Sequence, residues 1–399
     1  MVTSETSGTS IESQPHRLWV LWMMFFFQFA ALGVYFTFLN VYFRQAGMSG
    51  TQIGLLSMAA GLAGVGSSVV WGYLNDRTRK PRLLISLGVL GTLIVAQFIP
   101  YVSGFWAFLV LGCLGSMMNT APSTLVDSTT LVLLGKRRED YGRYRLGGSI
   151  GYIISGFVAG FIYDKIGLRA MFPTYGIVML CFSISALLLP KVTTQLARRG
   201  SEGIGQMIRK PSWLLFIFVL FMTWITTNAS MMFLNVALSV MGANQILIGI
   251  SSTVPAIVEI PFMFFSGSLL RRYGPTRLIV VGMALMSVRF LLLGIMPAPE
   301  WAIGINILNG IAFVFFWNSA INYAFRLAPP GMAGTAQGML TSTTSLAGVV
   351  SALLSGWLLD RLGPNGIFQF MTVLVLFALL LFITGQRLIN RKATTSPQS

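Results

Sequence analysis

Only two of the eleven acidic residues in this chain of 399, Asp127 and Glu259, fall well inside apolar runs. Two arginines accompany them. Arg289 lies deep in the apolar run 278–296, and Arg145 follows Asp127 by 18 residues. A carboxylate in apolar surroundings can take up and release a proton or accept a hydroxyl, and an arginine can grip a carboxylate with a fork of N–H donors. Tyr35, Asn119 and Asn309, with Gln28, Thr227, Asn228 and Asn306, are polar residues placed where they could complete a cavity around those charges. The only histidine, His16, is in the N-terminal tail, and Cys113 and Cys181 lie within apolar runs where packing is their expected role. No HExxH, GxSxG or GxxxxGK[ST] occurs, so neither metal nor nucleophilic chemistry has its parts. No enzyme activity, cofactor or metal is expected.

The elements that must hold these groups are membrane helices. The chain is 55% hydrophobic and 10% charged with a mean hydropathy of +0.75, more apolar surface than a water-soluble fold of this length buries. Apolar runs long enough to cross a bilayer as helix fall at about 18–43, 52–75, 83–101, 105–134, 146–163, 168–189, 213–240, 244–270, 278–296, 301–325, 333–359 and 365–386. The expectation is an all-α membrane protein of twelve transmembrane helices. The net charge of +16 could suggest nucleic acid, but the basic residues sit in short loops between spans. With the N-terminus inside, 22 of them fall on the inner side and 4 on the outer, so both termini are expected in the cytoplasm of a multi-pass cell-membrane protein, with no nucleic-acid partner. Residues 1–16 lack the basic and apolar regions of a cleaved signal peptide.

A polar, basic stretch at 190–212 follows the sixth run. It divides the chain into an N-terminal tail (1–17), a first six-helix half (18–189), a central loop (190–212), a second half (213–387) and a C-terminal tail (388–399). One motif recurs four times: "GYLNDR" from Gly72, "GFIYDKIG" from Gly160, "GSLLRRYG" from Gly267 and "GWLLDRLG" from Gly356. The copies are 195 and 196 residues apart between halves, and 88 and 89 apart within them. Copies at the ends of runs 2 and 8 face one side and those at 5 and 11 the other. The units are therefore inverted three-helix repeats, the plan of transporters that bind solute near the midplane.

Over its whole length the chain resembles the major facilitator superfamily. "GYLNDRTRKPR" is similar to that family's motif between helices 2 and 3. The resemblance implies that Gly72 packs closely, that Asp76 and Arg77 latch the cytoplasmic gate, and that Gly267, Arg271 and Arg272 form its counterpart in the second half. Arg79 stands where the family usually has a glycine. "VDSTTLVLLGKRREDYGRYRLGGSIG" is similar to the oligosaccharide:proton symporter and phenylpropionate-permease branch, in which the matching acid and arginine, at the same spacing, contact the sugar. The resemblance implies that role for Asp127 and Arg145, and extends to Glu259 in "VEIPFMFFSG" and Arg289 in "MSVRF". The branch's "LH" in helix 10 is Leu308-Asn309 here, so that helix has no titratable group.

Depths follow from the hairpins. Glu259 lies eleven residues before the end of run 8 and Arg289 eleven after the start of run 9, which puts both about 16 Å from the cytoplasmic edge at about 1.5 Å per residue. Asp127 and Arg145 flank the loop between runs 4 and 5 in the same way. Each half is thus expected to carry one acid and one arginine on adjacent helices. A charge at the bilayer centre costs about 2.5–3.5 kcal/mol, so these groups should face the bundle interior and be paired or solvated, most simply by lining a water-filled cavity. Asp127, Arg145, Glu259, Arg289, Asn309, Tyr35 and Asn119 are the expected substrate-binding residues. Glu259 and Asp127 are the expected proton-coupling groups, Glu259 because it is nearer the midplane. The resulting expectation is a monomeric, proton-linked secondary transporter of a small solute (sugar, nucleoside or aromatic acid) working by alternating access. Efflux of amphipathic compounds and an uncoupled facilitator are the alternatives, with a membrane-embedded enzyme or a transport-dead sensor as remote ones.

Overall fold

A computed structural model describes residues 19–135, 140–190, 210–329 and 332–395. The N-terminal tail expected at 1–17 and nearly all of the central loop expected at 190–212 lie outside these residues, whereas most of the C-terminal tail expected at 388–399 continues the last helix, to Thr395. The described chain is helical throughout. In order, the helices are α1 (Trp19–Gln45), α2 (Gly50–Thr78), α3 (Pro81–Phe98), α4 (Phe105–Leu134), α5 (Tyr141–Ile166), α6 (Met171–Leu187), α7 (Pro211–Val240), α8 (Gln245–Tyr273), α9 (Pro275–Ile295) and α10 (Trp301–Leu327). A final run, Ala333–Thr395, is broken at Gly363 (φ 74°, ψ −176°), with Pro364 behind it. It forms two spans, α11 (333–362) and α12 (364–395), and completes the twelve.

Local chemistry sets the helix ends. Ser49 and Gln52 make a reciprocal capping box at the start of α2, with Ser49 Oγ accepting from Gln52 N at 3.1 Å and Gln52 Oε1 accepting from Ser49 N at 2.9 Å. Asn244 Oδ1 caps α8 by accepting from Leu247 N at 2.9 Å. Pro81, Pro211 and Pro275 occupy first-turn positions where a missing N–H is harmless. Arg79 closes α2 at φ 53°, the left-handed conformation that glycine adopts freely, and among the described residues no other non-glycine has positive φ. The turn therefore keeps the shape a glycine would provide.

Helix α5 begins at Tyr141, five residues before its apolar run, and draws Arg143 and Arg145 into the helix. Consecutive helices are often not neighbours. Helix α5 packs on α1 and α8, α4 on α2 and α3, α8 on α10 and α5, and α9 on α10 and the α11–α12 run. The two sets of six helices meet along α2 with α11, α5 with α8, and α1 with α7.

These seams close at one end of the bundle, here called the far end, opposite the end where α1 starts and α12 stops. Small residues let the backbones touch there. A Cβ on Gly50 would lie 2.6 Å from the Gly356 carbonyl, and one on Gly160 would lie 2.8 Å from the Gln245 carbonyl. Those hydrogen bonds between the halves whose partners are both described also lie at or toward the far end. Asn40 Nδ2 donates to Met232 O at 2.9 Å, Asn235 Nδ2 to Thr37 O at 2.9 Å, and Tyr152 OH to Ser252 O at 3.3 Å. At the opposite end, nothing lies within 4 Å of a Cβ built on Gly72.

Candidate functional site

The four motif copies divide by end. At the far end, Asp360 on α11 accepts from the first two backbone N–H groups of α2, Gly50 N at 2.7 Å and Thr51 N at 2.6 Å, and from Thr51 Oγ1 at 2.7 Å, with Arg44 3.8 Å away. A carboxylate on a helix N-terminus satisfies free N–H donors and complements the helix dipole. Asp164 on α5 reaches the start of α8 in the same way, more loosely, accepting from Gln245 N at 3.3 Å.

Among the described side chains, the other two copies hold nothing across the halves. Arg77 Nη1 donates within its own helix to Tyr73 OH at 3.3 Å, Arg271 Nη2 donates to Ser268 Oγ at 3.3 Å, and Arg272 stands over Tyr273. The nearest atom to a Cβ on Gly267 is Arg271's own Nη1, at 3.9 Å. The expected close packing of Gly72 and Gly267 is thus absent in this conformation, because the halves are apart at the end these residues occupy. The Asp76 side chain lies outside the described ones. Latching was expected of the copies at 72 and 267, and the signal for Asp164 and Asp360 was already present: in each of their copies an aspartate follows the glycine by four residues, one helical turn.

Neither acid forms an ion pair with the arginine of its own half, and α8, which carries Glu259, packs mainly on α5 and α10 rather than on α9. Arg289, 2% exposed, sits among α7, α8 and α10 rather than beside Glu259. Its Nε and Nη2 donate to Asn306 Oδ1 at 3.2 and 2.8 Å, and its Nη2 donates to Ser230 Oγ at 2.7 Å. Asn306 Nδ2 in turn donates to Ser251 Oγ at 2.8 Å and Ser251 O at 3.0 Å. Asp127 does not pair with Arg145. Exposed on α4, it accepts from Tyr141 OH at 2.9 Å.

Arg145, also exposed, lies 5.9 Å from the Phe29 ring centre, and Glu259 is half-buried on α8. Arg145 belongs to the first half and Glu259 to the second, on the two helices that form the α5–α8 seam. Asn309 is half-buried with no hydrogen-bond partner among the described residues, one turn from Asn306.

Deeper toward the far end lies a cavity of ≈ 310 Å³. Tyr35 and Asn119, both expected at the site, line it, with Asn40, Ser57, Thr92 and Ser116 as further polar groups. The rest of its wall is apolar and includes Met231 and Met232 of α7. Asp127 lies eight residues beyond Asn119 on α4, about 12 Å nearer the open end. The arrangement is a sealed end, a mostly apolar pocket with neutral polar groups beneath it, and a charged vestibule leading away. Solute could enter from one end only, and opening the opposite end would require the seams to part.

A model of the MFS_1 like family matches residues 18–370, nearly all of the transmembrane chain. The chain belongs to the major facilitator superfamily. It is 26% identical over 371 residues to a maltose permease of Geobacillus stearothermophilus, covering 90% of this chain and 92% of that one. It is 25% identical over 319 residues to the uncharacterized transporter YwbF of Bacillus subtilis strain 168, covering 78% and 79%. Its fold matches the crystal structure of the nucleoside transporter NupG with a TM-score of 0.81 at 18% identity, covering 94% of this chain and 99% of that chain. Family and fold make this a multi-pass membrane transporter of small solutes and not an enzyme.

Proposed function

We propose that the protein carries a neutral polar solute, a sugar or a nucleoside, by alternating access, binding it in the cavity that α1–α4 line and that Met231 and Met232 of α7 close from the other half. The observation that carries this reading is the lining of the cavity. It offers hydroxyls and amides from Tyr35, Ser57, Thr92, Ser116 and Asn119, with methionine and aliphatic surface, and no cation. A pocket of this size with a few convergent polar groups suits a small organic ligand. Of the two arginines that could have held a carboxylate, Arg289 is occupied by Asn306 and Ser230, and Arg145 lies in the vestibule. An aromatic acid would therefore lack a counter-charge in the pocket. The resemblance to a maltose permease and the fold shared with a nucleoside transporter agree with a neutral solute.

Basic residues cluster at the open end, so by the positive-inside rule that end faces the cytoplasm and the conformation is inward-facing. Coupling to protons runs through Glu259, a half-buried carboxylate on α8, which packs on α5 of the other half, with no hydrogen-bond partner among the described residues. A single chain supplies the pocket, the vestibule and both far-end latches, so the working unit is the monomer in a cell membrane. The test is a thermal-shift comparison of purified protein with maltose, uridine and 3-phenylpropionate. A ligand at 100 times its Kd adds about 2.7 kcal/mol of stability. Maltose or uridine is expected to raise Tm and 3-phenylpropionate to leave it unchanged; stabilisation by 3-phenylpropionate alone would contradict the reading.

A further inference from the structure

Helix α1 is not a uniform α-helix. Over Leu32–Phe36 it winds as a π-helix, and the turn is closed by Thr37, whose N–H reaches the Leu32 carbonyl and whose Oγ1 donates to the same oxygen at 3.3 Å. A π turn takes in one extra residue, so every side chain beyond it is rotated by about 100° from its place on an unbroken α-helix. The residues so affected are those that matter. Tyr35 and Phe36, within the turn, line the cavity, as do Leu39 and Asn40 just beyond it. Thr37 O and Asn40 are also the groups by which α1 holds α7 at the far-end seal, through Asn235 and Met232 O. Met232 itself lines the cavity. One short segment of α1 therefore builds a wall of the pocket and half of a seal.

The turn is held from outside. Tyr163 on α5, 1% exposed and packed edge-on against Phe38 with ring centres 5.0 Å apart, donates its hydroxyl to the Val34 carbonyl at 2.9 Å. The next residue is Asp164, which holds the start of α8. Gly33 brings α1 onto α5 at the same level, where a Cβ would meet Ser155 Oγ and would lie 2.8 Å from Gly156 N. We propose that the π turn Leu32–Phe36 links the cavity to the far-end seal, and that Tyr163, which lines neither the cavity nor the α1–α7 contact, is its positioning residue. Solute pressing on Tyr35 and Phe36 turns the segment that also grips α7. The bond from Tyr163 fixes the resting winding of that segment and ties it to the Asp164 latch. This rests on the cavity being the solute site.

The experiment places spin labels at Ser103→Cys and Glu300→Cys, one on each half at the far end, in a Cys113→Ser/Cys181→Ser background, and reads their distance distribution without ligand. The same proteins without labels are titrated with maltose and uridine. Tyr163→Phe is compared with Tyr175→Phe, which deletes an equally buried hydroxyl that has no hydrogen-bond partner. Tyr163→Phe is expected to add a second, longer-distance population and to weaken binding by about fivefold, the scale of one neutral hydrogen bond, while Tyr175→Phe changes neither. Background distances together with unchanged affinity in Tyr163→Phe would overturn the proposal. If Tyr163→Phe does not yield folded protein, Thr37→Val, which removes the other hydroxyl closing the turn, takes its place with the same two outcomes. If neither maltose nor uridine binds the background protein, the choice of substrate class is wrong, and the ligand-free distances alone decide the role of the π turn.

Discussion

Glu259 is a half-buried carboxylate on α8, the helix that meets α5 of the other half. A movement that parts this seam changes the surroundings of α8, which is the proposed basis of coupling at Glu259. Glu259→Gln is expected to retain exchange of solute between equal concentrations and to lose uphill accumulation driven by a pH gradient; accumulation at the unsubstituted level would exclude Glu259 from coupling. Arg289 is a different kind of charge, buried and held by neutral oxygens. Asn306→Ala removes two of its three hydrogen bonds while leaving it buried, and should cost about 2–3 kcal/mol of stability, read as a fall in Tm. Asn309→Ala, one turn away, is expected to leave Tm unchanged because Asn309 bonds to nothing among the described residues. The sequence singled out four charged residues within or drawn into the spans but not what surrounds them. Hairpin depth cannot say which helices touch, and here α8 faces α5 rather than α9. The neutral groups of the pocket, Ser57, Thr92 and Ser116, carry no sequence signal that separates them from the hydroxyls that bond back to their own helices.

At the scale of elements, the far-end seal is built from two glycine-lined seams, each ending in an aspartate on the N-terminus of a helix from the opposite half. The two latches are unequal: Asp360 accepts three hydrogen bonds at 2.6–2.7 Å and Asp164 one at 3.3 Å. Asp360→Asn loses the charge on two backbone donors and should enlarge the far-end-open population by about tenfold, an effect of the size of one charge-assisted hydrogen bond. Asp164→Asn should shift it less. Spin-label distances between Ser103→Cys and Glu300→Cys measure both, and equal shifts would contradict the ranking. Twelve spans and four motif copies were legible in hydropathy and spacing, because membrane helices must be long and apolar and because the repeats keep their register. The repeated aspartate of the Asp164 and Asp360 copies was legible, but not the helix start that each one holds. An aspartate at a membrane edge reads as a solvated charge until the N-terminus it caps is brought from some 80 or 310 residues away. The π turn left no trace in the pattern either, since one added residue in an apolar run changes no hydropathy.

For the molecule as a whole, the sealed far end, the pocket beneath it and the charged vestibule at the opposite end form one state of a two-state carrier. The second state requires the α2–α11, α5–α8 and α1–α7 seams to part while the copies of the motif at Gly72 and Gly267 close. A solute that binds both states can be carried, and one bound by only one of them would trap the protein there. With the open end in the cytoplasm, as proposed from its basic residues, the described conformation is the one that releases an imported solute or loads an exported one. The measurement that bears most directly on this account is uptake of radiolabelled maltose and uridine into liposomes holding the purified protein, with and without an imposed pH gradient. The account predicts saturable uptake of at least one of them, accumulation above the external concentration only with the gradient, and loss of uptake in Asn119→Leu, which replaces a pocket amide by an alkyl group. No protein-dependent flux of either solute, or uptake of 3-phenylpropionate in their place, would contradict it.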